Sequence, residues 1–387
     1  MIRLLHTADW HLGRRFSSFP EEAQKKLTRA RLDAVEKIFE LALRNRVDAV
    51  LCAGDLFDAP DPPAAWWGGL ADRLHRYADA PMPPVILVPG NHDPLVAGSV
   101  WARDHALRGR LPRWAHVVDR PDFALPIGDG AVVYAAPCTS TSGQADPALT
   151  LPARADGDER IRIGCVHGQT FDIAGFEFNF PIAKDAGVRR GLDYLAIGDT
   201  HAFRDVTPDG PVPTVYPGSP EPMTFAETEA GFVALVGLFP HGGRRPRVER
   251  ERVGAWTWRE RVVQSVAELA TLLSERDLDR VVLRLRLELE VSVAEEGEVD
   301  RILGQLGGTD VNHGAVGILV VDRTKLALSV STPEDFEAAL PPVLQETVRR
   351  LRAVAVATED PKEQAVAARA IAQLYRTLRR LDREEAR

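Results

Sequence analysis

Cysteine is scarce in this chain of 387 residues, which holds three: Cys52, Cys138 and Cys165. Their spacing matches no zinc pattern, and two lie in strand-like apolar segments. They read as buried free thiols and not as a disulfide framework, and that usage points to a cytoplasmic protein. No apolar run is long enough to span a bilayer, and Met1 to His6 turns polar too early for a secretory leader. An excess of positive charge is also lacking, since the net charge is −8. That excludes coating of nucleic acid by bulk electrostatics. Local contact stays open, because metal ligands and the acidic stretch 288–300 can hold much of the acid. Helix-turn-helix and zinc-finger patterns, repeats and low-complexity segments are absent too. Any nucleic acid would be held by its backbone and not read base by base.

What is present is ordinary in bulk, 45% hydrophobic and 27% charged, and specific in five places. These are Asp9-Trp10-His11, Gly54-Asp55-Leu56-Phe57-Asp58, Gly90-Asn91-His92-Asp93, Val166-His167-Gly168 and Gly198-Asp199-Thr200-His201. Each follows an apolar run that reads as a buried strand: Ile2–Leu5, Ala49–Cys52, Val85–Val88, Ile161–Val166 and Tyr194–Ile197. Groups at strand ends converge only if the strands share a sheet, and in open α/β sheets sites lie in that crevice.

Oxygen and nitrogen donors without thiolates suit Mn, Fe, Mg or Zn and not a structural sulfur site. Asp55 can offer one oxygen to each of two ions. Asp9, His11, Asp55 and His201 would then surround one ion, and Asp55, Asn91, His167 and Asp199 the other. Two ions about 3.5–4 Å apart hold a phosphate, ionise water and neutralise charge in an in-line displacement. His92, beside a ligand but itself unligated, is placed to be the general acid or a transition-state stabiliser. Singly these signals are weak: Asp-x-His in a loop means little, and Gly90 to Pro94 alone is a turn signal. His75, His105, His116 and His313 read as surface or satisfied histidines outside any cluster. Five segments in one order, each at a strand end, outweigh the bland reading.

Elsewhere the periodicity predicts helices over Glu21–Arg46 and Ala64–Tyr77. Strands follow at Phe123–Pro126, Ala131–Tyr134, Thr214–Tyr216 and Gly231–Leu238, and the later strands, from Phe123 on, look more antiparallel. The expected fold is α/β (α+β), a two-sheet β-sandwich flanked by helices over residues 1–255. A small α+β capping domain is expected over 256–331, with strands Trp258–Gln264, Val281–Leu289 and Val316–Val321 and helices Ala267–Ser274 and Glu298–Leu306. A turn at Pro240–Pro246 precedes it. A helical tail over 332–387 would open at Thr332-Pro333-Glu334. The tail carries one apolar stripe at Leu340, Val343, Leu344, Val348 and Leu351. A second runs through Ala367, Ala370, Ile371, Leu374, Tyr375 and Leu378.

With these residues in view, the sequence resembles the calcineurin-like metallophosphoesterase superfamily, and more narrowly the SbcD-type DNA repair exonucleases. The narrower likeness rests on Leu5 to Gly13, on Gly54 to Asp58 and on Tyr216-Pro217-Gly218-Ser219-Pro220-Glu221. The superfamily motifs cover about the first 220 residues; the later likeness is one of architecture. The resemblance implies a metallophosphoesterase domain, with Asp9, His11, Asp55, Asn91, His167 and His201 on ligand positions and His92 on the catalytic histidine. It implies two divalent ions, manganese for nuclease activity, with Mg, Fe or Zn as alternatives. One position departs: the last motif normally reads Gly-His-x-His, and here aspartate stands at Asp199. Aspartate can still bind a hard ion, but its charge would lower that ion's Lewis acidity.

The substrate implied is DNA, cleaved by exonuclease or endonuclease action in double-strand-break repair. Arg14 and Arg15 after the first motif could touch it, as could Arg103, Arg108, Arg110 and Arg113 after the third. A solvated surface explains these arginines equally well. Trp66 and Trp67 could support a DNA path or a dimer contact, or form a half-buried helix face. The resemblance also implies an SbcC-type coiled-coil ATPase docked on the C-terminal helices, and a homodimer; the stripes could instead pack on each other. Fold alone does not carry function. The rivals are a phosphatase or phosphodiesterase acting on small molecules or phosphoproteins, and a non-catalytic binding module whose Asp199 marks a degraded site.

Overall fold

The strands that precede the five segments are largely apolar because most of their residues are covered on both faces. The computed structural model describes residues 1–171, 178–240, 244–308, 314–328, 340, 342–358 and 360–385. These fall into two compact units, Met1–Thr257 and Trp258–Arg387.

In the first unit, one six-stranded sheet runs in the order Arg247–Arg252, Phe232–Leu238, Ile2–Thr7, Ala49–Ala53, Val85–Val88, Ala115–Val117. A second six-stranded sheet runs Arg204–Asp205, Thr214–Tyr216, Tyr194–Gly198, Ile161–His167, Ala131–Ala135, Phe123–Ile127. The sheets face each other. Leu4, Ala49, Leu51, Ile86 and Val88 from the first meet Val133, Ile163, Cys165, Tyr194 and Ala196 from the second in one apolar core. The alternate residues Leu5, Val50, Cys52, Val85 and Leu87 point outward into a core completed by two helices. On the far side of the second sheet, Val132, Tyr134, Val166, Leu195 and Ile197 form a third core. The result is a two-sheet sandwich flanked by helices, a mixed α/β fold.

Helix Glu21–Asn45 follows the predicted period: Leu27, Ala34, Val35, Ile38, Phe39, Leu41 and Ala42 are all buried. It ends at Arg46, whose φ of 49° is left-handed and cannot continue the helix. Helix Ala64–His75 carries Trp66 and Trp67, which pack partly buried against the outer core.

One expectation is corrected. The strands from Phe123 on look antiparallel in sequence, yet Ile161–His167 pairs parallel with both neighbours, Ala131–Ala135 and Tyr194–Gly198. Tyr194–Gly198 also runs parallel to Thr214–Tyr216. The connections between these strands are long enough for crossovers, and two-sided burial is the mark of a parallel interior strand. The antiparallel reading holds for Phe123–Ile127 against Ala131–Ala135 and for Phe232–Leu238.

In the second unit, Thr257–Val263, Val281–Leu287 and Ile318–Asp322 form a three-stranded sheet. Helices Val266–Thr271 and Val293–Gly307 contribute Leu269, Val299, Ile302 and Leu306 to its separate core. The second helix starts earlier than its apolar period suggests because Ser292 and Glu295 make a reciprocal capping box. Helices Pro342–Ala357 and Pro361–Glu385 pack together, burying Val348, Ala367 and Ile371, while Val343 of the predicted stripe is exposed. The expected helix start at Thr332 and the middle of the expected turn at Pro240–Pro246 lie outside the described residues, as do His313 and the side chains of Tyr375 and Leu378.

Candidate metal centre

Strands Ile2–Thr7, Ala49–Ala53 and Val85–Val88 are parallel neighbours, so the loops that leave them exit on one rim. Strands Ile161–His167 and Tyr194–Gly198 are parallel neighbours in the facing sheet. The first two loops continue side by side past the strands: the Asp9 amide donates to the Gly54 carbonyl at 3.0 Å and the His11 amide to the Asp55 carbonyl at 3.0 Å. The facing sheet meets them where the Asp199 amide donates to both Asp9 carboxylate oxygens, at 3.0 and 3.2 Å. His167 Nδ1 contacts the Ala53 carbonyl at 2.8 Å.

Three overlapping groups result: Asp9, His11 and His201; His11, Asp55 and His92; and Asp9, Asp55 and His167. In each, the donor atoms lie within 4.8 Å of one another. Asn91 joins them through its Oδ1, 2.7 Å from His167 Nε2. Asp199 stands beside them, its carboxylate 3.8 Å from His167 Nε2. His92 is exposed, with its ring 4.9 Å from that of His11 and its amide donating to Asp55 at 2.9 Å. Arg14 and Arg15 are exposed just beyond His11, and Arg14 lies 3.7 Å from Asp58. Of the arginines after the third motif, Arg103 and Arg108 face Asp119 and Arg110 faces Asp72.

The backbone carries strain at this spot. Asp9, His11, Asp55 and Asp199 have positive φ values of 54°, 43°, 55° and 105°. Such conformations cost of order 1–3 kcal/mol each for non-glycine residues and persist where the surroundings over-determine them. Two glycines make the approach feasible. A Cβ at Gly54 would strike the His167 ring, and one at Gly90 would strike the Asp55 carboxylate and amide.

Burial sets the electrostatics. It raises Asp9 to about 7, reinforced by Asp55 and Asp199 and opposed by His201 and His167. Burial likewise works against the charge of Asp55, but the imidazoles of His167, His11 and His92 overrule it and hold this carboxyl well below the usual range. His11 is pushed down to about 4 by burial, against the pull of Asp58 and Asp55. At His167 burial is outweighed by Asp55, Asp9 and Asp199, which push it up to about 10. Buried carboxylates here demand counter-charge, which is what a bound dication supplies.

The donor set fits such an ion. His11 Nε2 is buried with no hydrogen-bond partner, and an imidazole nitrogen in that state costs free energy unless a ligand uses it. Its Nδ1 is fixed by Asp58 at 3.1 Å, and His201 Nδ1 by Glu227 at 3.1 Å. A carboxylate on the far nitrogen selects the tautomer that presents Nε2 to a metal.

Sequence reasoning misses four supporting residues. Asp58 lies within the second motif, but nothing in its spacing assigns it a role. Asp93 is buried and takes the amides of Gly90 at 2.8 Å and Phe57 at 3.0 Å, tying the second loop to the third. Burial, with Asp55 nearby, raises its carboxyl to about 8. Ser219 lies in the Tyr216–Glu221 motif: its hydroxyl donates to the Asp9 carbonyl at 2.9 Å and its amide to the His201 carbonyl at 2.9 Å. Glu227 carries no motif signal, since only the fold sets it against His201.

A family profile described as calcineurin-like phosphoesterase matches residues 2–205, more than half of the chain. The chain belongs to that family. Metallophosphoesterases bind divalent metals, in keeping with the three donor groups. The chain is 30% identical over 261 residues to the DNA double-strand break repair protein Mre11 of Aeropyrum pernix, covering 65% of this chain and 61% of that one. It is 35% identical over 137 residues to a subunit of the nuclease SbcCD of Rhodobacter capsulatus, covering 34% and 32%. It is 26% identical over 235 residues to the uncharacterized metallophosphoesterase YhaO of Bacillus subtilis, covering 59% and 55%. The chain therefore spans less than two thirds of the length of each of these relatives. Among the described residues, no helix is long and apolar enough to cross a membrane.

Proposed function

We propose that this protein is a two-metal DNA nuclease of double-strand-break repair, hydrolysing phosphodiester bonds with manganese as the preferred ion. The convergence of donors from five strand ends carries this reading. Relatives named as a nuclease subunit and a break-repair protein support DNA as the substrate. Asp9, His11, Asp55 and His201 would hold one ion, and Asp55, Asn91, His167 and Asp199 the other. Bound there, the ions supply Lewis acidity, activation of water and neutralisation of phosphoryl charge.

The chain's own residues do the rest. Asp55 lies between the two sets, with its Oδ2 3.7 Å from His11 and 3.4 Å from His167, so it suits a shared ligand. Asp58 and Glu227 keep the Nε2 atoms of His11 and His201 turned inward. His92, exposed at the mouth, protonates the departing sugar oxygen. Arg14 and Arg15 border the mouth and hold flanking phosphates. An SbcC-type ATPase docks on the helices Pro342–Ala357 and Pro361–Glu385, the working unit is a homodimer, and its place is the cytoplasm.

The test is cleavage of single-strand, duplex and hairpin DNA with manganese or magnesium, with His92→Ala as the control. The variant should bind metal as the parent does and lose about 10²- to 10⁴-fold in rate. Unchanged turnover in the variant would remove the acid role from His92. Absence of DNA cleavage by the parent, alongside hydrolysis of a small phosphodiester, would replace the nuclease by a small-substrate enzyme.

A further inference from the structure

The strand Ala115–Val117 is the outer edge of the first sheet, and Phe123–Ile127 is the outer edge of the second. Between these two edges opens a polar cavity of about 500 Å³, lined among others by Arg108, Arg113, His116, Asp119, Arg120 and Phe123. Three guanidinium groups thus face one lining carboxylate. That carboxylate is oversubscribed: Asp119 meets Arg108 at 3.1 Å, Arg103 at 3.3 Å and Arg120 at 3.6 Å. It is largely covered, while Arg103 and Arg120 are exposed, and Arg120 also reaches Asp122 through its Nε at 3.5 Å. Arg113 is exposed as well. Arg120 also lies over the Phe123 ring at 5.6 Å, and both residues line the cavity.

Position argues for a link to the metal centre. Ala115–Val117 runs parallel to Val85–Val88 in the next place in the sheet. Asp119 and Arg120 therefore leave on the rim that carries Asn91 and His92, one strand over, a step of about 4.8 Å per strand. The segment that supplies Arg103 and Arg108 begins at the Asn91 loop itself. The cavity therefore runs from that rim, at Asp119 and Arg120, along the sheet edge to Arg113 at the opposite end of Ala115–Val117, and in a net negative chain its lining holds more guanidinium than carboxylate. Guanidinium forks match phosphate oxygens two at a time and stay charged at every working pH.

We infer that this cavity is an anchoring site for the phosphate backbone of duplex DNA away from the scissile bond. The inference rests on the nuclease reading and adds to it a second place where the substrate is held. Arg113 and Arg120 make the contacts, Asp119, itself held by Arg108, positions Arg120, and the site takes no part in chemistry. Binding is therefore sequence-independent and salt-sensitive.

The experiment measures fluorescence anisotropy of a labelled duplex in EDTA, so that binding is read without cleavage. The full-length protein is compared with Arg113→Ala/Arg120→Ala and with the charge-preserving Arg113→Lys/Arg120→Lys, each checked for folding by circular dichroism. The alanine pair should weaken binding roughly tenfold at low salt and lower the slope of log affinity on log salt by about 2. The lysine pair should keep most of the slope. Hydrolysis of bis-p-nitrophenyl phosphate with manganese, a substrate too small to span the two places, should be unchanged in both. Equal duplex affinity of parent and alanine pair would overturn the anchor. So would competition by inorganic phosphate at millimolar concentration that abolishes binding, which would make the cavity a free-phosphate site. A parent that binds duplex through these arginines yet cuts none keeps the anchor and removes the nuclease reading. A parent that cuts duplex with the same KM as the alanine pair does the reverse.

Discussion

Asp199 is the residue at which this chain departs from the pattern it otherwise follows. Its backbone is committed: φ is 105° and the amide bridges both oxygens of Asp9. Its side chain is less so, since the carboxylate lies 3.8 Å from His167 Nε2 and outside the three donor groups. The anchoring of Asp9 therefore does not depend on which side chain stands here. Asp199→His should keep the fold and preserve or raise hydrolysis of a small phosphodiester, because a neutral ligand leaves more Lewis acidity on its ion. Isothermal titration with manganese checks the assignment, and complete loss of metal binding in the variant would count against Asp199 as a ligand. A similar economy applies at Gly90, where the space taken by the Asp55 carboxylate explains a glycine that sequence alone reads as a turn.

Among the elements, helix Glu21–Asn45 does more than cover the sheet. It carries Arg31, a buried guanidinium that donates to the carbonyls of Trp10 at 2.8 Å, Glu221 at 3.1 Å and Pro222 at 3.3 Å. Those carbonyls belong to the first site loop and to the segment that follows Ser219, so one cation clasps both. Burial pulls the guanidinium down to about 10 against Glu221, Glu227 and Asp58, yet leaves it charged near neutrality. Arg31→Met keeps the apolar stem and removes the donors. The carbonyls then lose their partners at roughly 3 kcal/mol in total. Urea unfolding should show that loss together with weaker manganese binding. A variant destabilised to this degree but unaltered in metal affinity would restrict Arg31 to a packing role.

Across the whole molecule, the centre concentrates strained backbone and buried acid in the unit Met1–Thr257. A ligand that binds only the folded state should therefore stabilise it markedly. At one hundred times Kd the gain is about 2.7 kcal/mol. Thermal melting with manganese should exceed melting in EDTA by several degrees, and His11→Ala should abolish the difference. An equal shift in that variant would place the effect outside this centre.

Local signals in the chain are enough for the strands that lead into the site, for helices Glu21–Asn45 and Ala64–His75 and for a set of candidate metal donors, but not for the short strands Ala115–Val117 and Arg204–Asp205. Apolar runs, helical period and a donor at a strand end are each legible without knowing the fold. Asp9, His11, Asp55, Asn91, His167 and His201 can be named as candidate ligands on that basis, and His92 as the candidate acid beside them. Parallel pairing in the second sheet cannot, because strand direction depends on crossovers that carry no local signal. Nor can Asp93, Glu227 or the arginine cavity. These emerge with folding, since a carboxylate becomes a histidine's partner, and a cluster of arginines a site, through juxtapositions of residues far apart in the chain.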